Sequence, residues 1–289
     1  MNGVLDGLRR DRRASAGVLV LVALAALALL APWVAPYDPL AQPDILRLRY
    51  LPPLSSGPDG TFHVLGTDQL GRDLLSRLLY GARISLAIGV AAAVLSAVLG
   101  TLVGALAATG GRRLDGGLMG LTNVALALPR LVLLLLLVAL WQPSVVLVVL
   151  VLAVTGWMGI ARLVRAEVRS LLARPFAEAA RAAGSTTPRL LRRHLLPNAL
   201  TPVIVATALG VGNAIALEAG LSFLGLGVPA PAPSWGNMMS AGRDALVQAP
   251  WIATLPGLAV VLAVLACNLL GDGLRDAWTP RPLTARRRW

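Results

Sequence analysis

Gly66-Thr-Asp-Gln-Leu-Gly71 has the glycine spacing of a phosphate-cradling loop and is the one place where this sequence approaches nucleotide chemistry. Such a loop needs a lysine to reach the β- and γ-phosphates and a serine or threonine for the metal. Arg72-Asp73 stands in those places, no strand precedes the loop, and the 289 residues contain no lysine. P-loop chemistry and a Schiff-base lysine are thereby excluded together, and the two glycines are read as turn residues. His63 and His194 fall on opposite sides of the membrane in the topology below, and Cys267 stands alone. No HExxH run exists, and no serine stands in a GxSxG setting. The expected catalytic and metal-binding residues are none.

Two polar residues sit where polarity is expensive. Glu218 lies deep in an apolar stretch, with Asn213 five positions before it. A charge at mid-membrane costs about 2.5–3.5 kcal/mol on insertion scales, so Glu218 should face a bundle interior, a partner or a watery path. It can line a translocation path with Asn213, hydrogen-bond helices together, or lie nearer the surface than the run suggests. A second concentration of polar residues runs from Arg162 to Asn198. Within it, Arg174-Pro-Phe-Ala-Glu-Ala-Ala-Arg-Ala-Ala183 precedes Gly184, and Ser185, Thr186 and Thr187 with Pro188 follow. A helix-forming run, a glycine, then N-cap residues and a first-turn proline predict helix, break, helix.

What must position these residues is a membrane bundle. Mean hydropathy is +0.73 and only 14% of residues are charged, against about 25% in a soluble domain. Six stretches are long enough to cross a ~30 Å hydrocarbon layer: Ala16–Ala35, Ile84–Ala108, Leu118–Leu140, Ser144–Ile160, Ala199–Leu224 and Trp251–Leu270. The expected fold is all-α integral membrane, with six transmembrane helices and a cytoplasmic helix-Gly-helix loop. The net charge of +12 rests on 26 arginines whose positions follow the membrane rather than a patch, which removes nucleic acid as a partner. With the N-terminus inside, 20 arginines are internal: four in Arg9–Arg13, then Arg112, Arg113 and Arg130, eight from Arg162 to Arg193, and five from Arg275 to Arg288. Arg47, Arg49, Arg72, Arg77, Arg83 and Arg243 are external. That split predicts cytoplasmic N- and C-termini.

Between the spans, the stretch from Pro36 to Gly60 reads as an exposed outer loop. Leu70, Leu74, Leu75, Leu78 and Leu79 alternate with Arg72, Asp73, Ser76 and Arg77, as in a helix lying flat on the membrane. Gly100 and Gly104 form a GxxxG pair suited to close helix packing. Trp141-Gln-Pro-Ser144 is so short a turn that the third and fourth spans should be antiparallel neighbours.

The interval around Gly184 resembles the EAA loop of ABC importer permeases: Glu178-Ala179-Ala180, three residues, Gly184, then Leu196-Pro197. His194 stands where the general pattern has isoleucine, and Arg193-His-Leu-Leu-Pro-Asn198 is similar instead to the dipeptide and oligopeptide branch. Further segments resemble that branch: Gly66–Asp73 with Ser76-Arg77 and Tyr80-Gly-Ala-Arg83, Leu221-Ser-Phe-Leu-Gly-Leu-Gly227 with Pro233-Ser-Trp-Gly-Asn237, and Leu270-Gly-Asp-Gly-Leu-Arg-Asp276. The layout is similar to the "C" type permease of dipeptide, oligopeptide and nickel importers.

The resemblance implies a permease domain over 16–274, with its coupling loop at about 162–198 and cytoplasmic tails at 1–15 and 275–289, in a bacterial inner membrane. It implies a peptide as solute, with nickel or another small solute as the alternative. It further implies a second related permease, two ATPase subunits that alone use ATP, and an external solute-binding protein; this chain would bind no cofactor. Within the loop it implies Glu178 as a polar anchor, Ala179 and Ala180 as a small contact face, Gly184 as the turn, and Leu196-Pro197 as the end of the second helix. An independent ion-coupled transporter is the competing reading. It should show several intramembrane carboxylates or inverted repeats, and the sequence offers Glu218 and no convincing repeat.

Overall fold

The computed structural model describes residues 11–278. Arg9, Arg10, Arg281 and Arg286–Arg288, counted in the expected tails, lie outside the described residues. Helix α1 (Arg12–Val34) is followed by an outer segment with α2 (Ile45–Leu48) and a hairpin of β1 (Ser55–Ser56) and β2 (Phe62–His63). Then come α3 (Leu74–Thr109), α4 (Gly111–Ala127), α5 (Arg130–Ala139) and α6 (Val145–Leu172). Short helices α7 (Pro175–Ala182) and α8 (Thr187–Leu190) lead through a π turn (Leu191–Leu195) into α9 (Leu196–Phe223). Helices α10 (Trp235–Gly242) and α11 (Trp251–Trp278) complete the described chain, and α1 and α11 carry helix four residues into each expected tail.

Five unbroken helical rods are long and apolar enough to cross a membrane, one of them running from Thr187 to Phe223. The expected third span, Leu118–Leu140, is not a single helix: α4 and α5 meet at 91°, and only if the pair counts as one crossing are there six. Pro129 explains the bend. Proline has no amide to donate, and its ring drives the preceding residue out of the helical region; Leu128 is extended, with ψ 135°. At about 1.5 Å per residue, α5 is roughly 15 Å long, half the hydrocarbon layer.

The core of the bundle is the pairing of α3 with α6, against which α9 packs, followed by α11 and α1. Gly100 and Gly104 allow the close approach expected of them. A Cβ on Gly100 would stand 2.7 Å from the Trp157 carbonyl oxygen, and one on Gly104 2.5 Å from that of Ala161. The short turn after α5 also behaves as expected, since Ser144 Oγ accepts the Leu147 amide at 3.1 Å to cap α6, which packs beside α5.

The outer segment departs from expectation. Instead of an exposed loop and a helix lying flat, it is a packed cap, and Leu74 opens α3 itself. Asp68 Oδ2 accepts from Arg72 Nε and Nη2, both at 2.7 Å, and faces Arg77 Nε at 3.5 Å. Asp73 caps α3 by accepting the Ser76 amide and hydroxyl at 2.8 and 2.7 Å, while its other oxygen meets His63 Nδ1 at 2.8 Å. Arg77 Nη1 reaches back to the Pro39 carbonyl at 3.1 Å. Arg72 and Arg77 are only 6% and 4% exposed, so the alternation from Leu70 to Leu79 separates apolar contacts from paired charges, both inside the protein. Gly66 and Gly71, at φ +79° and +70°, are turn glycines as expected. Two of the outer arginines that opposed the charge asymmetry are thus matched internally by Asp68.

Candidate functional site

At the end of the bundle opposite the cap, α6 stops and the chain turns into the expected helix-break-helix. Pro175 opens α7 at the position where a missing amide does no harm. The Ser185 amide donates to the Ala180 carbonyl at 3.0 Å and the Gly184 amide to that of Arg181 at 2.9 Å, the pair of bonds that ends a helix on a left-handed residue. Gly184 is that residue, at φ +84°, with open space where a Cβ would be.

Glu178 and Ala179 are exposed on α7, whereas Ala180 turns partly inward with Ala177, against Leu190 and Leu195. The contact face offered to a partner therefore begins with Glu178 and Ala179, and Ala180 also anchors α7. Leu196-Pro197 does not end the second helix. The Leu196 amide donates to the Leu191 carbonyl across the π turn, and Pro197 sits in the first turn of α9, so helix continues to Phe223. The wider turn accommodates a residue without an amide. Leu190, Leu195, Ala199 and Val203 join one apolar cluster with Val164, Val168 and Leu171 of α6. A push on α7 and α8 is thereby transmitted to α6 and α9.

A clamp braces the same end. Asp115 of α4 accepts from Arg165, and from Arg169 Nη2 at 2.6 Å, while Arg162 Nη2 donates to Asn123 Oδ1 at 2.6 Å. Three arginines read as charge asymmetry thus hold α4 against α6. Asp115 is 50 residues from Arg165, and no local pattern announces the pair.

A cavity of about 410 Å³ opens between α3, α6, α9 and the bend before α5, with Ser96, Arg130, Gly156, Thr207 and Asn213 on its walls. Asn213 is exposed there, as a path residue would be. Glu218 is not on that wall, which corrects its pairing with Asn213 in a path. It is fully buried, accepting from Ser85 Oγ at 3.0 Å and Ser222 Oγ at 2.7 Å. Ser85 Oγ in turn accepts the Trp235 amide at 3.2 Å, and Ser222 Oγ the Val228 amide at 3.1 Å. The carboxyl fastens α3, α9 and α10 together, five residues from the end of α9. Arg130, counted among the internal surface arginines, instead begins α5 and points into the bundle, with Nη2 3.5 Å from the Leu152 carbonyl.

Comparison with known proteins matches residues 100–283 to the family described as "Binding-protein-dependent transport system inner membrane component". Residues 3–53 match "N-terminal TM domain of oligopeptide transport permease C". The chain is 44% identical over 273 residues to the di/tripeptide transport system permease protein DppC of Pseudomonas aeruginosa, covering 94% of this chain and 89% of that protein. It is 42% identical to a putative peptide permease protein of Brucella suis biovar 1, over 94% and 88% of the two chains. Among solved structures, the inward-facing MetNI methionine ABC transporter aligns with a TM-score of 0.57 at 21% identity, over 70% of this chain and 96% of that one. An amino acid ABC transporter crystallised with histidines aligns with a TM-score of 0.54 at 17% identity, over 69% and 94%. These two structures share the fold.

Proposed function

The chain belongs to the family of binding-protein-dependent transport system inner membrane components, an ABC transporter permease rather than an enzyme, and from that premise we propose that it forms half of the import path for di- or tripeptides. In this reading it pairs with a second related permease in a bacterial inner membrane, two ATPase subunits dock beneath it, and an external protein delivers the peptide. ATP is used by the ATPases alone. Both termini and the loop over 162–198 face the cytoplasm, where the arginine excess lies.

The observation that carries the reading is the helix-Gly184-helix element, with Glu178 and Ala179 exposed and the opposite face packed onto α6 and α9. Such an element can be moved as a rigid body by a partner that closes on nucleotide. It then biases two states of the bundle by making different contacts in each. The identity to relatives named as peptide permeases supports peptide as solute.

Uptake into vesicles holding the reconstituted complex tests the substrate. Labelled di- and tripeptides are expected to accumulate only with ATP inside and binding protein outside. Accumulation of nickel complexes alone would contradict the peptide assignment, and ATP-independent accumulation driven by an ion gradient would contradict the importer mechanism.

A further inference from the structure

We propose that Arg130 is the anion-binding group of the solute path and takes the terminal carboxylate of the transported peptide, an assignment that rests on the peptide-importer reading above.

Arg130 is placed where an arginine is least expected. Its guanidinium lies against Gly156, so close that a Cβ there would stand 3.3 Å from Nη2. Gly156 is eleven residues into α6 from Val145, or about 17 Å along the helix, near the middle of a ~30 Å layer. Pro129 puts it there: a straight helix would carry residue 130 along the span, whereas the 91° bend turns the start of α5 inward.

The side chain is enclosed but unmatched. Nε is buried with no hydrogen-bond partner, and Nη2 has only the Leu152 carbonyl at 3.5 Å, a marginal contact. No aspartate or glutamate lines the cavity. Glu218, the buried carboxyl of the same bundle, is occupied by Ser85 and Ser222. Arginines within membrane spans face a partner or a water-filled path, and a planar guanidinium with several free N–H groups fits a carboxylate through two parallel hydrogen bonds. The cavity, at about 410 Å³, is within the roughly 300–1,000 Å³ of pockets that hold small molecules. Its remaining polar groups, Ser96, Thr207 and Asn213, are neutral. A small peptide brings one carboxylate that requires a cation and a backbone that neutral groups can meet.

The test uses the complete reconstituted complex and compares initial uptake of a labelled dipeptide with that of its C-terminal amide. Selection by the external protein is common to wild type and variant, so a change in the acid-to-amide ratio isolates Arg130. R130Q is expected to lower free-acid uptake roughly 10- to 100-fold, the range of a lost charge-assisted hydrogen bond, with a much smaller effect on the amide. R130K should retain a preference for the acid. An unchanged ratio overturns the assignment even if overall uptake falls. If wild type takes up neither peptide, the peptide reading fails and this assignment with it. Should R130Q not assemble, the wild-type complex trapped with dipeptide decides. A carboxylate within about 3.5 Å of Arg130 supports the proposal, and a carboxylate elsewhere, or an acid of another subunit on Arg130, overturns it.

Discussion

Replacing Gly184 with valine is expected to leave the chain in the membrane with its partners while lowering transport per ATP hydrolysed by about 5- to 30-fold. The cause is the backbone alone. Nothing lies within 4 Å of a Cβ at this position, but φ is +84°, and an L-residue in the left-handed region costs about 1–2 kcal/mol. That penalty shifts a two-state population by a factor of roughly 5–30, and a β-branched side chain lies at its upper end. The bonds from Ser185 to Ala180 and from Gly184 to Arg181 hold only at this conformation. The angle between α7 and α8 would relax, and the load from the ATPase would no longer reach α6 and α9. Asparagine tolerates the same φ, so Gly184→Asn should transport at close to the wild-type rate. Solute-stimulated uptake and hydrolysis, measured together for both variants, check this. Equal damage from both substitutions would mean that the loss of glycine's bareness matters, not its conformation, and normal coupling in Gly184→Val would remove the lever altogether.

The second large effect is expected at Glu218. Leucine there is close in size but accepts no hydrogen bond, so the hydroxyls of Ser85 and Ser222 lose their shared acceptor inside the bundle. A stranded buried donor costs about 1–3 kcal/mol. Serine in a helix recovers part of that by turning to the carbonyl four residues back, so a net loss of about 2 kcal/mol is reasonable for the pair. For a domain of this size that corresponds to a fall in Tm of roughly 4–8 °C. Glu218→Gln keeps an acceptor oxygen and should be milder in Tm and near normal in transport. An ion-coupling carboxylate would behave otherwise: glutamine would abolish transport with Tm unchanged. Thermal unfolding in detergent beside vesicle uptake separates the two.

Much of this was legible in the residues. Apolar runs located the rods, Gly184 between a helix-forming run and a cluster of N-cap residues located the break, and the spacing of Gly100 and Gly104 located the closest helix contact. Three features were not read. The bend before α5 was signalled by Pro129, but averaging hydropathy over Leu118–Leu140 let the leucines outweigh one imino acid, and Arg130 was carried to the wrong place with it. The order of the outer cap depends on Asp68 meeting Arg72 and Arg77, and on Asp73 meeting His63. In the sequence these are simply charged residues of a polar stretch, and their burial is a tertiary fact. Asp115 and its arginines are separated by a whole span, so only the packing of α4 on α6 brings them together. Pro197 misled in the opposite direction, since the π turn before it lets the helix continue.

Affinity purification of the tagged chain from its own membranes in mild detergent, with identification of what accompanies it, asks most directly whether the chain works as one membrane half of an ATP-driven importer. Recovery of a second six-span protein together with P-loop ATPase subunits is the expected result, and Gly184→Val should recover the same set. Recovery of the chain alone, still moving solute into vesicles without ATP, would contradict it.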